Sequence, residues 1–292
     1  MRNLGLELLA ELIAEGSVVV LSGAGLSTES GIPDYRGATG RARRSEPMTY
    51  QAFLGGVEAR RRYWARSHLG WRALTGAAPN DGHRAVAELQ RRGLVSGIIT
   101  QNVDGLHQAA GAREVIELHG GLDRVVCLGC GERTPRVRLD ARLQAANPGW
   151  ADLVGAAVGG RVNPDGDARV GDEHVHDFRI VDCSSCGGVL KPDVIFFGEN
   201  VPRPRVDSCF ALTAAAGLLL VLGSSLTVRS GYRFVARATE LGIPVAIVNQ
   251  GPTRADTEAT ISLDAPLGAT LGTLLSGLGK SGAERLIPGG KG

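Results

Sequence analysis

One stretch decides the fold: Val18-Val19-Val20-Leu21-Ser22-Gly23-Ala24-Gly25-Leu26-Ser27 joins an apolar, β-branched run to a glycine-rich turn. A strand that is apolar on both faces is typical of a parallel sheet covered by helices on both sides. Glycines in the turn that follows let backbone N–H groups approach a phosphate. The turn departs from the Gly-x-Gly-x-x-Gly dinucleotide fingerprint, because Thr28 stands at the third glycine position. The stretch therefore predicts a strand and a tight turn, with or without a bound phosphate.

Similar apolar runs recur along the chain between helical stretches. The predicted strands are Ile98 to Thr100, Val115 to Leu118, Leu218 to Leu222, Val245 to Val248 and Ile261 to Leu263. The predicted helices include Leu4 to Glu15, His83 to Arg92 and Gly231 to Leu241. This alternation predicts an α/β fold, a doubly wound, Rossmann-like parallel sheet.

Two stretches interrupt the alternation. Residues 38–78 contain Arg and Trp and are predicted to be helical, and residues 122–193 contain paired cysteines around a loop-like middle. We predict that they form a smaller helical and zinc-ribbon module inserted into the sheet domain. The sheet domain then comprises residues 1–37, 79–121 and 194–279. Residues 280–292 have little apolar content and are predicted to be disordered.

Composition excludes several classes of protein. The 292 residues include 32 Lys and Arg against 30 Asp and Glu, a formal charge of +2 that disfavours generic nucleic-acid binding. No apolar run reaches the roughly 18 residues of a membrane span. The N-terminus has no small-residue cleavage signal of a secreted protein. We therefore expect a cytoplasmic protein with no direct nucleic-acid or membrane partner.

Four of the five cysteines form two Cys-x-x-Cys pairs, Cys127 with Cys130 and Cys183 with Cys186. Four thiolates in two such pairs suit a tetrahedral zinc ion with a structural role. The segment between the pairs exceeds the usual ribbon spacing of about 15 to 20 residues, so reduced structural cysteines or a redox pair remain alternatives. His174 and His176 lie in that segment and could compete as ligands, whereas Cys209 is predicted to be a core thiol.

Polar residues follow two of the predicted strands. His119 follows the strand Val115 to Leu118, while Asn102 and Asp104 follow the strand Ile98 to Thr100. The carboxyl ends of parallel strands meet at one edge, where ligands of this fold bind. The alternative for Asn102 and Asp104 is a capped turn without a ligand.

Taken together, the ordered motifs resemble those of the sirtuins, a family of NAD-dependent protein deacylases. The resemblance rests on Gly23-Ala24-Gly25-Leu26-Ser27, Gly31-Ile32-Pro33-Asp34-Tyr35-Arg36, Thr100-Gln101-Asn102-Val103-Asp104, His119-Gly120, the paired cysteines, Lys191-Pro192-Asp193-Val194-Ile195-Phe196-Phe197-Gly198-Glu199, Gly223-Ser224-Ser225-Leu226 and Val248-Asn249. It extends from about residue 5 to residue 275, and with it zinc becomes the favoured interpretation of the four cysteines.

Other segments are similar to class II, the branch that contains the fourth, mitochondrial human sirtuin. They are the long segment between the cysteine pairs, Tyr63-Trp64-Ala65-Arg66, Ser230-Gly231-Tyr232-Arg233-Phe234 and Gly251-Pro252-Thr253-Arg254. The targeting leader of that protein has no counterpart here, so we expect a cytosolic bacterial relative.

The resemblance implies a reaction between NAD and an acyl-lysine side chain of a protein or peptide. The acyl oxygen attacks C1′ of the nicotinamide ribose and expels nicotinamide. His119 then acts as general base on a ribose hydroxyl, and water releases lysine and 2′-O-acyl-ADP-ribose. Asn102 is implied as the second catalytic residue.

The resemblance also implies which residues surround NAD and the peptide. The implied NAD contacts are Gly23, Ala24, Gly25, Ser27, Ile32, Asp34, Tyr35, Arg36, Gln101, Asn102, Val103, Asp104, Gly223, Ser224, Ser225, Asn249, Gln250, Gly251 and Leu267. The implied peptide and acyl contacts are Val194, Phe196, Phe197, Gly198 and Glu199, with the peptide added as a strand. Phe196 and Phe197 could instead be ordinary core residues.

A carboxylate clamp is a further expectation. Tyr63 and Arg66 are three residues apart and would share a face of a helix. A branch of the family that removes succinyl groups uses a Tyr and an Arg at this spacing. The alignment of these two residues with Tyr63 and Arg66 needs a shift of one residue. The alternative is that Tyr63 packs into the protein core and Arg66 is exposed to solvent. In that case the class II resemblance favours lipoyl or methylglutaryl as the acyl group that is removed.

Three rival functions remain open. A mono-ADP-ribosyltransferase would use the same NAD site, so the motifs cannot exclude it. An inactive NAD sensor is disfavoured by the presence of His119, Asn102 and Asp104 together, and a hydride-transferring dehydrogenase is disfavoured by the incomplete glycine fingerprint.

Overall fold

The computed structural model describes residues 4–35, 37, 47–158, 163, 166–168 and 170–284. Along this part of the chain the strands are β1 (Val18–Ser22), β2 (Val95–Thr100), β3 (Val115–Glu117), β4 (Gly120–Cys127), β5 (Arg133–Pro135), β6 (Leu190–Val194), β7 (Leu218–Leu222), β8 (Val245–Asn249) and β9 (Ile261–Asp264). The α-helices are α1 (Leu4–Ala14), α2 (Tyr50–Leu54), α3 (Val57–Thr75), α4 (Asp81–Arg91), α5 (Leu106–Ala109), α6 (Arg136–Ala146), α7 (Trp150–Val158), α8 (Asp172–Val175), α9 (Arg203–Ala214), α10 (Arg229–Glu240) and α11 (Leu267–Glu284).

The larger sheet has the strand order β3-β2-β1-β7-β8-β9, and all neighbouring strands are parallel. Every residue of β1, β7 and β8 is buried. The strand order reverses beside β1, since β2 lies on one side of it and β7 on the other. The sequence prediction of a doubly wound parallel sheet is confirmed, and such a reversal point is where this fold binds ligands.

Helices cover both faces of this sheet. Val18 and Val20 of β1 belong to one hydrophobic cluster with residues of α1, α4 and α11, whereas Val19 and Leu21 belong to another with residues of α9 and α10. Side chains alternate between the two faces along a strand, so both sets of β1 residues become buried. This explains why β1 is apolar at each of its first four positions.

A smaller module contains an antiparallel sheet of order β5-β4-β6. Its hydrophobic cluster joins residues of β4 and β6 to α2, α3, α6 and α7, so the segments predicted as two insertions share one core. Arg136 is buried in this core with its guanidinium carbon 5.1 Å from the ring centre of Trp64 and 5.4 Å from that of Trp71. Cation–π contacts and the nearby Asp140 carboxylate, 3.5 Å away, accommodate the buried charge.

Some segment boundaries differ from the sequence prediction. The predicted boundary at residue 122 falls within β4, which begins at Gly120. The predicted boundary at residue 194 coincides with the last residue of β6, Val194. The last helix, α11, continues to Glu284 and therefore includes residues 280–284, whereas residues 285–292 of the predicted disordered tail lie outside the described residues. Among the helices of the described chain, none combines the length and apolar character needed to cross a membrane.

Candidate active site and metal centre

A cavity of about 760 Å³ opens where the carboxyl edge of the parallel sheet meets the small module. Turns after β1, β2, β3 and β7 contribute to its wall, together with the segment that follows β6. Its wall includes these residues predicted from the sequence: Gly23, Ala24, Gly25, Ser27, Ile32, Asp34, Tyr35, Tyr63, Gln101, Asn102, Val103, Asp104, His119, Val194, Phe196, Phe197, Gly198, Glu199, Gly223, Ser224, Ser225, Asn249, Gln250 and Gly251.

Two of the predicted residues lie elsewhere. Arg66 is absent from the cavity wall, and its Nε atom is buried without a hydrogen-bond partner. Leu267 begins α11 and is buried in the cluster of β1, α4 and α11 rather than in the wall. Arg36 lies outside the described residues.

The glycine-rich turn is held against the turn that follows β7. The Gly25 N–H donates to the Gly223 carbonyl oxygen over 2.8 Å, and Gly223 has a φ of +63°. A Cβ atom added at Gly25 would lie 2.8 Å from that same oxygen, which is closer than real Cβ atoms come. Both positions therefore require glycine, Gly25 for the close approach and Gly223 for its left-handed backbone.

Asn102 and Asp104 are joined through Ser27. The Asn102 amide donates to the Gly23 carbonyl oxygen and to Ser27 Oγ, both over 3.1 Å. Ser27 Oγ in turn donates to Asp104 over 2.7 Å, and the Leu106 N–H donates to the other carboxylate oxygen over 3.0 Å. Burial raises the pKa of Asp104, although these hydrogen bonds oppose the shift. The network links the turn after β1 to the turn after β2 and fixes both around the cavity.

His119 has a defined tautomer. Its Nδ1 atom lies 2.9 Å from the Gln101 carbonyl oxygen, which can only accept, so Nδ1 carries the proton and Nε2 has a free lone pair when the ring is neutral. The Ser230 hydroxyl lies 2.8 Å from Nε2 and donates to it. Burial lowers the pKa of His119, the hydrogen bond to the Gln101 carbonyl oxygen opposes the shift, and the nearby Arg205 and Arg233 lower the pKa further. The ring is therefore neutral near pH 7, with its acceptor atom at the cavity.

A buried polar layer beneath the cavity was missed in the sequence analysis. Ser22 Oγ donates to Thr100 Oγ1 over 2.8 Å and lies 2.8 Å from His107 Nε2, while Thr100 Oγ1 accepts from the Asn102 N–H over 3.1 Å. The His83 ring packs against His107 with 5.2 Å between ring centres. Burial is the main cause that lowers the pKa of His83 to about 4 and of His107 to about 3. No local pattern in the sequence marks this layer, because its members come from β1, β2, α4 and α5.

Aromatic side chains form the wall on the side of the small module. The ring of Phe196 lies 5.2 Å from the ring centres of both Phe53 and Tyr63, and Tyr63 is buried. Glu199 accepts from the Phe196 N–H over 2.9 Å and pairs with the buried ammonium of Lys191 over 3.0 Å. This pair fixes the backbone after β6 next to the cavity.

The two Cys-x-x-Cys pairs come together at one end of the small sheet. Their four Sγ atoms all lie within 4.8 Å of one another, with 3.5 Å between Cys127 and Cys186 and 3.9 Å between Cys130 and Cys183. Four thiolates about 2.3 Å from a tetrahedral zinc ion would be about 3.8 Å apart, so the cluster fits zinc and leaves no ligand position for a substrate. Backbone N–H groups, chiefly that of Cys130, lower the pKa of Cys127 to about 7.

The other candidate ligands lie apart from this cluster. Within the described residues, no other group of His, Cys, Asp or Glu forms a comparable site, so His174 and His176 do not join the four cysteines. Cys209 is buried in α9, and burial raises the pKa of its thiol to about 11. It is a core thiol, as the sequence suggested.

The fold and the cavity are typical of a nucleotide-binding α/β protein, with an inserted module whose four cysteines suit zinc. The profile of the Sir2 family matches residues 23–230. The chain is 59% identical over 270 residues to NAD-dependent protein deacetylase 1 of Streptomyces coelicolor, which covers 92% of this chain and 89% of that protein. It is 51% identical over 256 residues to NAD-dependent protein deacetylase 1 of Mycobacterium avium, covering 88% and 89%.

Solved structures agree with this assignment. The structure described as a Sir2–p53 peptide–NAD+ complex aligns with a TM-score of 0.76 at 28% identity, over 96% of this chain and all of the other. A Sir2 bound to acetylated peptide aligns with a TM-score of 0.74 at 27% identity, over 96% and 99%. The chain belongs to the Sir2 family, and the resemblance inferred from the sequence motifs is confirmed.

Proposed function

We infer that the protein is an NAD-dependent protein lysine deacylase that transfers the acyl group of an acyl-lysine to ADP-ribose and releases nicotinamide. Family membership supports the reaction class. The observation that carries the assignment is the geometry of His119: Nδ1 is hydrogen-bonded to the Gln101 carbonyl oxygen, and the acceptor Nε2 lies at a cavity large enough for a dinucleotide and an acyl-lysine side chain.

In this proposal, NAD lies along the carboxyl edge of the parallel sheet. The glycine turn after β1 and the hydroxyls of Ser224 and Ser225 suit the phosphates, because they offer close backbone approach and hydrogen-bond donors. Asn249 and Gln250, at the end of β8, suit the adenosine ribose. Asn102 and Asp104 are placed around the nicotinamide, with Ile32 as their apolar neighbour.

The acyl-lysine enters from the side of the small module. After β6, Phe197 forms an isolated parallel bridge with Thr49, and the chain then turns at Gly198. We propose that the peptide adds as a strand beside Val194 to Glu199 and that the lysine side chain lies against the wall that includes Phe196 and Tyr63. The aromatic wall excludes water from the acyl group, which protects the activated sugar from hydrolysis.

His119 does its work after nicotinamide has left. The acyl oxygen of the substrate displaces nicotinamide from C1′ of the ribose. Nε2 of His119 then accepts a ribose hydroxyl proton, so that this oxygen attacks the acyl carbon. A neutral imidazole is required for this step, and its lowered pKa keeps it available near pH 7. Zinc supplies no chemistry here and holds the two cysteine pairs of the small module together.

Cytoplasmic location is part of the proposal. It is supported by the five cysteines, which all lie within the described residues and form no disulfide, as is usual in a reducing compartment. Fractionation of the producing cell followed by immunoblotting tests it, and recovery in the secreted fraction would contradict it.

The test of function uses NAD labelled in its adenosine phosphate together with an acetyl-lysine peptide. We expect the label in a small acyl-ADP-ribose product, with equivalent amounts of deacylated peptide. Label on a protein without deacylated peptide would identify an ADP-ribosyltransferase instead. Absorbance of NADH would identify a dehydrogenase, and neither of these outcomes is expected.

A further inference from the structure

The Ser230 hydroxyl hydrogen-bonds to Nε2 of His119, the nitrogen whose lone pair His119 needs in order to act as a base. The hydroxyl donates to Nε2 over 2.8 Å, and both residues line the cavity. We propose that Ser230 is a positioning residue for His119, which holds the acceptor nitrogen toward the cavity until a substrate hydroxyl takes its place. The proposal deepens the proposed function and rests on it for its catalytic consequence.

The ring of His119 is held at both nitrogens. The Gln101 carbonyl oxygen accepts from Nδ1 over 2.9 Å, and the Ser230 hydroxyl donates to Nε2 on the opposite side of the ring. One hydrogen bond would leave the ring free to rotate about its bonds, whereas two opposed bonds fix its plane. The two contacts therefore define both the tautomer and the direction of the lone pair.

The helix that carries Ser230 is itself placed by Gln101. A Cβ atom added at Gly231 would lie 2.5 Å from Gln101 Oε1, so α10 approaches this side chain closely enough that a larger residue would require the Gln101 amide to move. The Gln101 amide donates to Ser224 Oγ over 2.9 Å and to the Ser22 carbonyl oxygen over 3.2 Å, which fixes its position. Gln101 thus orients the base through its carbonyl oxygen and the helix through its side chain.

The Ser230 hydroxyl can keep this contact in both protonation states of the base. It donates to Nε2 of the neutral ring, and in the imidazolium it can rotate and accept from the Nε2–H, a charge-assisted bond that favours the charged form. The charged groups that act on His119 are Arg205 of α9 and Arg233 of α10, and both cations favour the neutral form. Removal of the Ser230 hydroxyl should therefore lower the pKa of His119 further, because the imidazolium loses a stronger hydrogen bond than the neutral ring does.

The first experiment needs neither NAD nor peptide. The His119 ring is titrated by NMR in the zinc-loaded wild type, Ser230→Ala and Ser230→Thr, with Ser276→Ala on α11 as a control for loss of a remote serine hydroxyl. We expect the pKa of His119 to fall by about 0.5 to 1 unit in Ser230→Ala, the scale of one hydrogen bond. We expect Ser230→Thr and Ser276→Ala to match the wild type. An unchanged titration in Ser230→Ala would overturn the proposal, whether or not the enzyme deacylates peptides.

The second experiment separates the step that uses the base from the step before it. In Ser230→Ala we expect kcat/KM for deacylation to fall about three- to tenfold near pH 7.5, because the ring is less well oriented, and its low-pH limb to move downward with the pKa of His119. Exchange of labelled nicotinamide into NAD, which precedes proton removal, should stay within about twofold of wild type. Faster deacylation at every pH would mean that the hydroxyl merely blocks the base, and an equal loss of exchange would mean a general structural role. Either result would contradict the assignment.

Discussion

The cavity at the sheet edge and the cluster of four cysteines differ in how their polar groups are satisfied. At the sheet edge, Asn102, Ser27 and Asp104 hydrogen-bond to one another and to the backbone. In the cysteine cluster, the thiols face each other at distances of 3.5 to 3.9 Å. The first region holds its shape through protein contacts, whereas the second needs a cation to stabilise four thiolates. The cavity at the sheet edge should therefore keep its structure without a bound molecule, whereas the cysteine cluster should not keep its structure without zinc.

The largest effect should follow loss of zinc. Cys127→Ala removes one of four ligands, and because zinc binding is coupled to folding, we expect the small module to lose its cooperative unfolding transition. Metal analysis should give about one zinc per wild-type chain and much less for the variant, as expected for one four-thiolate site. Ser184→Ala changes an exposed serine of the same loop and serves as the control. A zinc-free protein with an unaltered unfolding transition would show that the cluster needs no metal.

The next effect concerns catalysis at the sheet edge. His119→Ala should lower deacylation by about two decades or more, the usual scale for a general base, while zinc content and the melting temperature stay close to wild type. The control is His176→Ala, which alters an exposed histidine of the small module. Near-normal turnover by zinc-loaded His119→Ala would refute the assignment of the base.

The buried histidines beneath the cavity make the sheet domain sensitive to acid. The pKa of His83 is lowered to about 4 and that of His107 to about 3, below the unfolded value of about 6.5. Their neutral forms stabilise the fold above pH 6.5, and this stability is lost as the pH falls from 6.5 toward the folded values. Between pH 7 and pH 5 we expect each histidine to account for a loss of about 2 kcal/mol.

The variant His83→Gln removes the contribution of one histidine to this acid-induced loss of stability. Glutamine at this third helical position can still accept from the Asn80 N–H, as His83 does in its capping box. Urea unfolding at pH 7 and pH 5 should show a smaller acid destabilisation in the variant than in the wild type. Both proteins hold the same zinc site, so acid release of zinc affects them equally. Equal destabilisation of the two would argue against a neutral buried His83.

The smallest effect is expected at Arg66. The side chain is absent from the cavity wall, so Arg66→Ala should leave the ratio of succinyl to acetyl kcat/KM within about twofold of wild type, because no charge-assisted clamp on the acyl carboxylate is lost. Tyr63→Ala, which opens the aromatic wall, should change the acyl preference more. A selective loss of succinyl activity in Arg66→Ala would contradict this expectation and support the carboxylate clamp.

The sequence predicted the features that depend on neighbours along the chain. The run Val18 to Leu21 with its glycine turn, and each Cys-x-x-Cys pair, carry their structural meaning locally, so their elements were predicted correctly. The contacts of His83, His107 and Ser230 join segments distant in the sequence, and no local pattern shows them. Tyr63 and Arg66 illustrate the same limit, since residue spacing places both on one helix face but packing against Phe53 and Phe196 decides how that face is turned.

The most direct test of the central claim is the stoichiometry of the reaction of the zinc-loaded protein with NAD and an acetyl-lysine peptide. Mass spectrometry should find nicotinamide, deacylated peptide and acetyl-ADP-ribose in about equal amounts, since one acyl transfer consumes one NAD and leaves one lysine. All three should depend on the acyl group of the peptide. Nicotinamide released without deacylated peptide, or deacylated peptide with free acetate and intact NAD, would contradict the account.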